Sequence, residues 1–276
     1  MAQKLLRALT AATLILPVAM ALQARADELP RVVSLNLCAD AYLMAIAGKQ
    51  QILALTPQSQ QADVSAFAAQ AAAYPISDGQ IETLAALKPD VVIVSSYSDP
   101  LRNRLIAQLG IEIVKLDAAN NFAAALREVE KLGAVLGRSA QAAAYIKSLQ
   151  ADMAELMPVS HHPRLMTLQR RNLTVGKGHI LDEIIALAGG ENLGRHSGAF
   201  MGRVSLEKAL AAQADYILLN EAPQQAESRG LEFLIHPALA EAYPPHKRVQ
   251  IDNNLLVCAG ATTPRAVKAL IDGLSR

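Results

Sequence analysis

The sequence predicts an α/β fold made of two similar lobes, each with a mainly parallel sheet, and a long helix between them. Three observations carry that prediction. Apolar strand-like runs alternate with helical segments in both halves of the chain, the rhythm of a parallel sheet covered on both faces. The stretch 81–94 recurs at 206–219 without a gap, so that Glu82 falls on Glu207 and Asp90 on Asp215. Between the halves, residues 122–157 carry no strand signal. Each copy of the repeat reads as a short amphipathic helix, a polar corner ending in Asp and a buried strand. Such a unit met twice points to two like lobes, although helix-to-strand units also recur by chance in α/β chains.

Taken in order, Arg31-Val32-Val33-Ser34-Leu35-Asn36 alternates and is β-rich, which makes it the first strand. A helix is expected over 38–47, stopped at Gly48, and a strand over 51–56, closed by Pro57. Residues 62–73 are Ala-rich and read as helical, and the first copy of the repeat ends in a strand over 91–95. Asp99-Pro100 opens a helix to Leu109 with Gly110 as its stop, and 111–116 is the next strand. Gly137 divides the strandless region into two helices. The second, 139–157, is about 19 residues and so about 28 Å long, and Pro158 ends it. Such a helix is either a rigid spacer between two α/β blocks or packs wholly on one sheet. The rhythm restarts with a strand at 164–169 and a helix over 180–188, stopped by Gly189-Gly190. Ser205 can N-cap the second repeated helix, whose strand spans 216–219. Helical residues at 231–242, a strand at 248–252 and a helix at 264–274 close the chain.

Residues 1–26 read as a secretory signal peptide, not as part of the fold. Lys4 and Arg7 form a basic start, 8–21 an apolar core, and Ala24-Arg25-Ala26 a small-x-small cleavage signal before Asp27. The apolar run is about 14 residues, short of the roughly 20 that span a bilayer. No cysteine precedes Cys38, so no thiol stands at the cleavage site to carry a lipid. The expected product is a soluble, exported protein. Removing Lys4, Arg7 and Arg25, with no acid, takes the formal charge from +1 to about −2. With no basic stretch either, nucleic acid is not an expected partner. The expected partition is a leader over 1–26, an N-terminal lobe over 27–137, an interlobe helix over 138–158 and a C-terminal lobe over 159–276. Cys38 and Cys258 are the two cysteines. An oxidising compartment allows them one intramolecular disulfide, and two separate buried thiols are the other reading.

The segments Arg31-Val32-Val33-Ser34-Leu35, Ile81-Glu82, Lys88-Pro89-Asp90-Val91-Val92-Ile93, Leu109-Gly110-Ile111, Ala188-Gly189-Gly190-Glu191-Asn192 and Val204-Ser205-Leu206-Glu207 occur in an order and spacing of their own. That pattern resembles the periplasmic substrate-binding proteins of ABC importers, in the branch that takes ferric siderophores, haem and cobalamin. The resemblance covers nearly all of the mature chain. It implies two Rossmann-like lobes with mainly parallel sheets joined by a single long α-helix, fairly rigid, with the ligand held between them. It also implies delivery to an inner-membrane permease dimer with its ATPase, a monomer, and no cofactor.

In open parallel sheets ligands sit beyond the carboxyl ends of the strands. The candidates there are Asn36, Cys38, Gln58 and Tyr97 in the first lobe and Gln169, Arg170, Arg171, Asn220 with Glu221, and Asn254 in the second. Tyr97 offers a ring to stack on a flat ligand or a phenolate for iron. Arg170 and Arg171 suit carboxylates or a catecholate complex through bidentate contacts. Each alone reads more readily as a solvated loop residue; their convergence on one rim favours binding. The Gly-rich 195–203 is a candidate flap. The six histidines are scattered apart from His161-His162, so no metal site is expected. Haem needs only one Tyr or His, and cobalamin is usually gripped by aromatics, which are 4% of this chain. The expected cargo is an iron chelate, a ferric siderophore or a similar complex, with haem or cobalamin as alternatives. A secreted α/β hydrolase-like enzyme is the competing class, but there is no G-x-S-x-G, G-x-G-x-x-G, P-loop or H-E-x-x-H.

Glu82 and Glu207 lie near the starts of the repeated helices, away from the inward stripes Ile81, Leu84, Ala85 and Leu206, Ala209, Leu210. Read alone, each is a solvated acid favoured by the helix N-terminus. The resemblance implies more: one Glu on each lobe docks onto arginines of the permease, and these two match those positions.

Overall fold

The computed structural model describes residues 29–220 and 232–276. The expected leader, its cleavage point before Asp27, and Glu221 and Leu231 lie outside the described residues. The first sheet contains β1 (Val32–Ser34), β2 (Ile52–Ala54), β3 (Val91–Ser95) and β4 (Glu112–Leu116) in the order β2-β1-β3-β4. All its pairings are parallel. Successive side chains alternate between the two faces. Val32, Ile93 and Val114 therefore join one core with helix α1 (Leu37–Ile46), while Val33, Val92 and Val94 join a second. That second core is closed by Leu84 of α3 (Ile81–Leu87) and Ile106 of α4 (Pro100–Gln108), which follow the four-residue helix α2 (Ala68–Ala71).

Two helices follow the first sheet, α5 (Phe122–Val135) and α6 (Ser139–Ala154). A Cβ on Gly133 would come within 2.4 Å of the Ala142 Cβ, so their close approach requires glycine there. Helix α6 packs at both of its ends. Ala142, Tyr145 and Ile146 meet the first-lobe core, and Met153 packs against the core of the second sheet. Helix α5 does likewise, with Val129 and Leu132 on one side and Ala125 on the other. The single helical crossing is thus braced by its predecessor along its length.

The second sheet repeats the first. It holds β5 (Arg164–Thr167), β7 (Glu191–Asn192), β9 (Tyr216–Leu219) and β10 (Arg248–Gln250), ordered β10-β9-β5-β7 and parallel throughout. With β5 set on β1, β7 on β2, β9 on β3 and β10 on β4, the two orders coincide. Leu165, Leu218 and Val249 face α7 (Ile180–Leu187) and α10 (Thr263–Leu274). Met166, Ile217 and Leu219 face α8 (Leu206–Ala211) and α9 (Pro237–Ala242). An antiparallel pair, β6 (Leu173–Val175) with β8 (Met201–Arg203), has no counterpart among the described residues of the first lobe.

Three expectations need correcting. Helix α6 ends at Ala154 instead of 157, because Pro158 disfavours helical backbone at the residue before it. Of 62–73 only α2 is helical: Ser65 Oγ accepts from the Phe67 N–H, a local turn that competes with helix. Ala85 is exposed, and the inward stripe of α3 runs instead through Ile81, Leu84 and Leu87.

Candidate functional site

In each sheet the order changes direction at one point, between β1 and β3 in the first and between β5 and β9 in the second. Chains leaving neighbouring strands there depart toward opposite faces, which opens a crevice at their carboxyl ends. The first-lobe crevice is flanked by Asn36 and Cys38 after β1 and by Tyr97 after β3. Gln169, Arg170 and Arg171 after β5 and Asn220 after β9 flank the second.

The structure uses several of these side chains to hold the rim together. Asn36 N-caps α1, its Oδ1 accepting from the N–H groups of Cys38 and Ala39 at 2.9 and 3.1 Å. Cys38 is bonded to Cys258, with Cα atoms 5.2 Å apart. Beside that bond, the buried Tyr42 hydroxyl donates to Ala259 O at 2.7 Å. Asn254 donates across the lobes to Ala62 O at 2.8 Å, and Asn253 reaches Asp63 O at 3.4 Å. Glu183 accepts from the Phe122 N–H at 2.7 Å. One side of the crevice, where the turn after β2 meets the turn after β10, is therefore tied shut. A cavity of about 190 Å³ remains behind the disulfide, with Asn36, Ser95 and Asp117 on one wall and Val257 and Ala259 on the other.

Beneath this rim lies Asp40, 1% exposed. Its Oδ2 accepts from the Thr56 N–H and hydroxyl, whereas Oδ1 has no partner among the described residues. Burial outweighs those hydrogen bonds and pushes its carboxyl up to about 7.

Other groups of the rim stay open to solvent or are only partly engaged. Tyr97 is 84% exposed, and its phenol has no partner among the described residues. Gln58 is exposed on the turn Pro57–Gln60. In the second lobe Gln169 pairs with Leu173 around a tight loop in which Arg171 and Asn172 have φ of 57° and 60°. Two successive non-glycine residues in the left-handed region are strained. They hold Arg171 out on an exposed turn, with Arg170 half-buried beside it. Asn220 Nδ2 lies 3.4 Å from Asn253 Oδ1, and the buried Asn220 Oδ1 has no partner among the described residues.

The candidate flap is fastened. Asp182, nearly buried, accepts from Asn192 Nδ2 at 3.0 Å and pairs with Arg195 at 3.2 Å. Residues Met201–Arg203 are strand β8. A Cβ on Gly176 would stand 1.8 Å from Ala199 O, so the loop before β8 lies hard against the end of β6. It carries Phe200, 54% exposed, with its ring centroid 5.1 Å from that of His179. Sequence reasoning missed both residues. The available signal was His179 just before the amphipathic run that opens with Ile180, at an N-cap position.

Glu82 and Glu207 are both exposed in the first turns of α3 and α8. Each helix runs antiparallel to the strand it feeds, which returns its N-terminus to the carboxyl end of the sheet. Donation from its own backbone N–H, and then from the Ser205 hydroxyl, holds the Glu207 carboxyl below its ordinary value.

The sequence matches the family described as Periplasmic binding protein over residues 32–253. Among solved structures, an ABC transporter substrate-binding protein from Listeria monocytogenes EGD-e is 19% identical, with 89% of this chain and 98% of that chain covered and a TM-score of 0.68. The periplasmic vitamin B12 binding protein BtuF of Vibrio cholerae is 21% identical (90% and 97% covered, TM-score 0.63). The periplasmic haem binding protein HutB of the same organism is 18% identical (90% and 99% covered, TM-score 0.67). These likenesses carry the fold, and the sequence match carries the membership. The chain belongs to the periplasmic binding protein family, binding proteins and not enzymes, and has the two-lobed fold that these solved proteins share.

Proposed function

We propose that the mature protein captures one iron chelate between its lobes in the periplasm and delivers it to an ABC permease dimer with its ATPase. The reading rests on family membership, and one observation carries the choice of cargo: the uncovered phenol of Tyr97 at the carboxyl end of β3. A phenolate oxygen suits ferric iron, and a tyrosine ring suits a flat ligand. Exposed Arg171, held forward by the left-handed loop, supplies bidentate donors for an anionic chelate. Gln58, Gln169, Arg170 and Asn220 complete the binding rim, and Glu82 and Glu207 dock the permease. The working division is a leader over 1–26, lobes over 27–137 and 159–276 and the crossing helix between them; the mature protein is a monomer.

Haem is the second reading, favoured by the same phenol, since a single tyrosine can hold haem iron. The test is a thermal-shift and titration panel of ferric catecholates, ferric hydroxamates, ferric haem and cobalamin on residues 27–276. Saturable one-to-one binding of a ferric complex, weakened in Tyr97→Phe or Arg171→Ala, is the expected result. A shift with cobalamin alone would overturn it.

A further inference from the structure

His179 is half-buried at the N-cap of α7, where its Nδ1 accepts from the Leu181 N–H at 3.1 Å. A backbone N–H can only donate, so Nδ1 carries the lone pair and the ring proton of the neutral imidazole sits on Nε2. Protonating Nδ1 would set two donors against each other. Burial lowers the His179 pKa, and nearby Asp182 opposes that only in part. The ring is also fixed in place. Phe200 leans on it at 5.1 Å and 48°, and the Gly176 N–H donates to Phe200 O at 2.9 Å. Nε2–H has no partner among the described residues. It belongs to the turn between β6 and α7, near the carboxyl end of β7, where Asn192 Nδ2 donates to Val175 O and to Asp182; the β6–β8 register places it at the Val175–Met201 end of that pair, with the Arg171 loop at the Leu173–Arg203 end.

His162 shows the opposite state. Its Nδ1 lies 3.2 Å from Gly189 O, a carbonyl that can only accept, so its lone pair is on Nε2. That metal-competent nitrogen precedes β5 and lies at the amino end of the sheet, away from the crevice.

We infer that His179 is a specificity residue of the second-lobe rim, holding an Nε2–H donor toward an acceptor oxygen of the bound chelate and unable to ligate its iron. This rests on the chelate reading above. It adds that the second lobe meets the cargo here with a neutral donor, so iron must arrive with its coordination supplied by the chelator or completed by another residue.

The experiment pairs a ligand-free measurement with a binding one. Long-range ¹H–¹⁵N correlation of the imidazoles in mature apo protein at neutral pH reads the tautomer directly, and Nε2–H is expected at His179. His179→Asn keeps an N-cap acceptor, and its shorter side chain cannot bring its amide N–H to the place of Nε2–H. It should melt like wild type and bind ferric tris(2,3-dihydroxybenzoate) about ten-fold more weakly, the loss of one hydrogen bond. With ferric haem as probe, the absorption bands of the bound iron should be unchanged by His179→Asn. An Nδ1–H tautomer, undiminished affinity in the Asn variant, or haem bands that depend on His179 would each overturn the inference. Wild-type protein that takes up neither probe overturns the chelate reading, and with it the oxygen named as the partner of His179; the tautomer then stands or falls on the correlation spectrum alone.

Discussion

At the amino end of each sheet the two lobes carry the same corner. In the first, the Arg31 N–H donates to Asp90 Oδ2 at 2.8 Å and its guanidinium to Lys88 O at 2.8 Å. In the second, the Arg164 N–H donates to Asp215 Oδ2 at 2.7 Å and its guanidinium to the carbonyls of Gln213 and Ala212, both at 3.2 Å. Lys88 and Gln213, aligned in the repeat, are both left-handed, at φ of 48° and 46°. At the carboxyl end the likeness stops. Between β1 and α1 lie only Leu35 and Asn36, and that rim is cross-linked to the other lobe. Between β5 and α7 lie the strained arginine loop, β6 and the turn to His179. The shared corner serves the fold and the first-lobe rim ties the lobes together, while under the proposed function the second-lobe insertion joins Tyr97 in meeting the cargo.

The strongest way to break this pseudo-symmetry lies on its outer surface. Glu82→Arg with Glu207→Arg should leave ligand affinity and melting temperature nearly unchanged, since both side chains are exposed. Stimulation of the transporter's ATPase and uptake should be lost, with each single variant intermediate. Normal uptake by the double variant would remove the docking role, and a large fall in ligand affinity would move these residues into the cleft.

Next in size is the cross-link. Cys38 and Cys258 are 220 residues apart in sequence, and closing so long a loop restricts the unfolded chain by up to about 5 kcal/mol. Cys38→Ser with Cys258→Ser should lower stability toward that bound in urea unfolding. The hydrogen bonds of Tyr42 and Asn254 would still tie the lobes, so ligand affinity should fall less than stability. A double variant as stable as the wild type would show the bond to be dispensable.

Asp40 sharpens the contrast on the same rim. Its folded pKa, about 7, lies above the ordinary 3.8. The stability it contributes is full below the lower value and lost as pH rises through the upper one. Asp40→Asn should therefore flatten the fall in stability between about pH 4 and pH 7 and leave the variant more stable than wild type at pH 8. Urea unfolding at pH 4.5 and pH 8 decides it; an unchanged slope would mean that the carboxylate is better solvated than its burial indicates.

How much of this was legible follows from where each interaction is encoded. The repeated helix, corner and strand are written in contiguous residues, so Lys88-Pro89-Asp90 and Gln213-Ala214-Asp215 could be set side by side before any coordinates. The strand ends, and hence Tyr97 and the two arginines, followed from apolar runs stopping at polar residues. What was hidden depends on distant partners. Asn254 reads as a rim amide until Ala62 O is found to accept from it. The short strands β6 and β8 are separated by α7, β7 and a loop, too far apart to reveal their pairing by local pattern. His179 looked like one of six scattered histidines because its meaning lies in a backbone N–H two residues on.

The smallest expected effect separates left-handed backbone used for the fold from left-handed backbone used for binding. A non-glycine residue there is strained by about 1–2 kcal/mol, and glycine relieves this while loosening the unfolded chain by about 0.4–1 kcal/mol. Lys88→Gly and Gln213→Gly should each change stability by less than about 1 kcal/mol, with the same sign in both lobes, because the corners are the same. Arg171→Gly, at φ 57°, should show a similarly small change in stability. It removes the guanidinium as well, so the affinity for a ferric catecholate should drop where neither corner variant affects it. Equal losses of affinity in all three variants would mean that the corner and the loop act through overall rigidity. Loss in Arg171→Gly but not in Arg171→Lys would reduce the requirement to charge, whereas loss in both would point to the bidentate geometry that a lysine lacks.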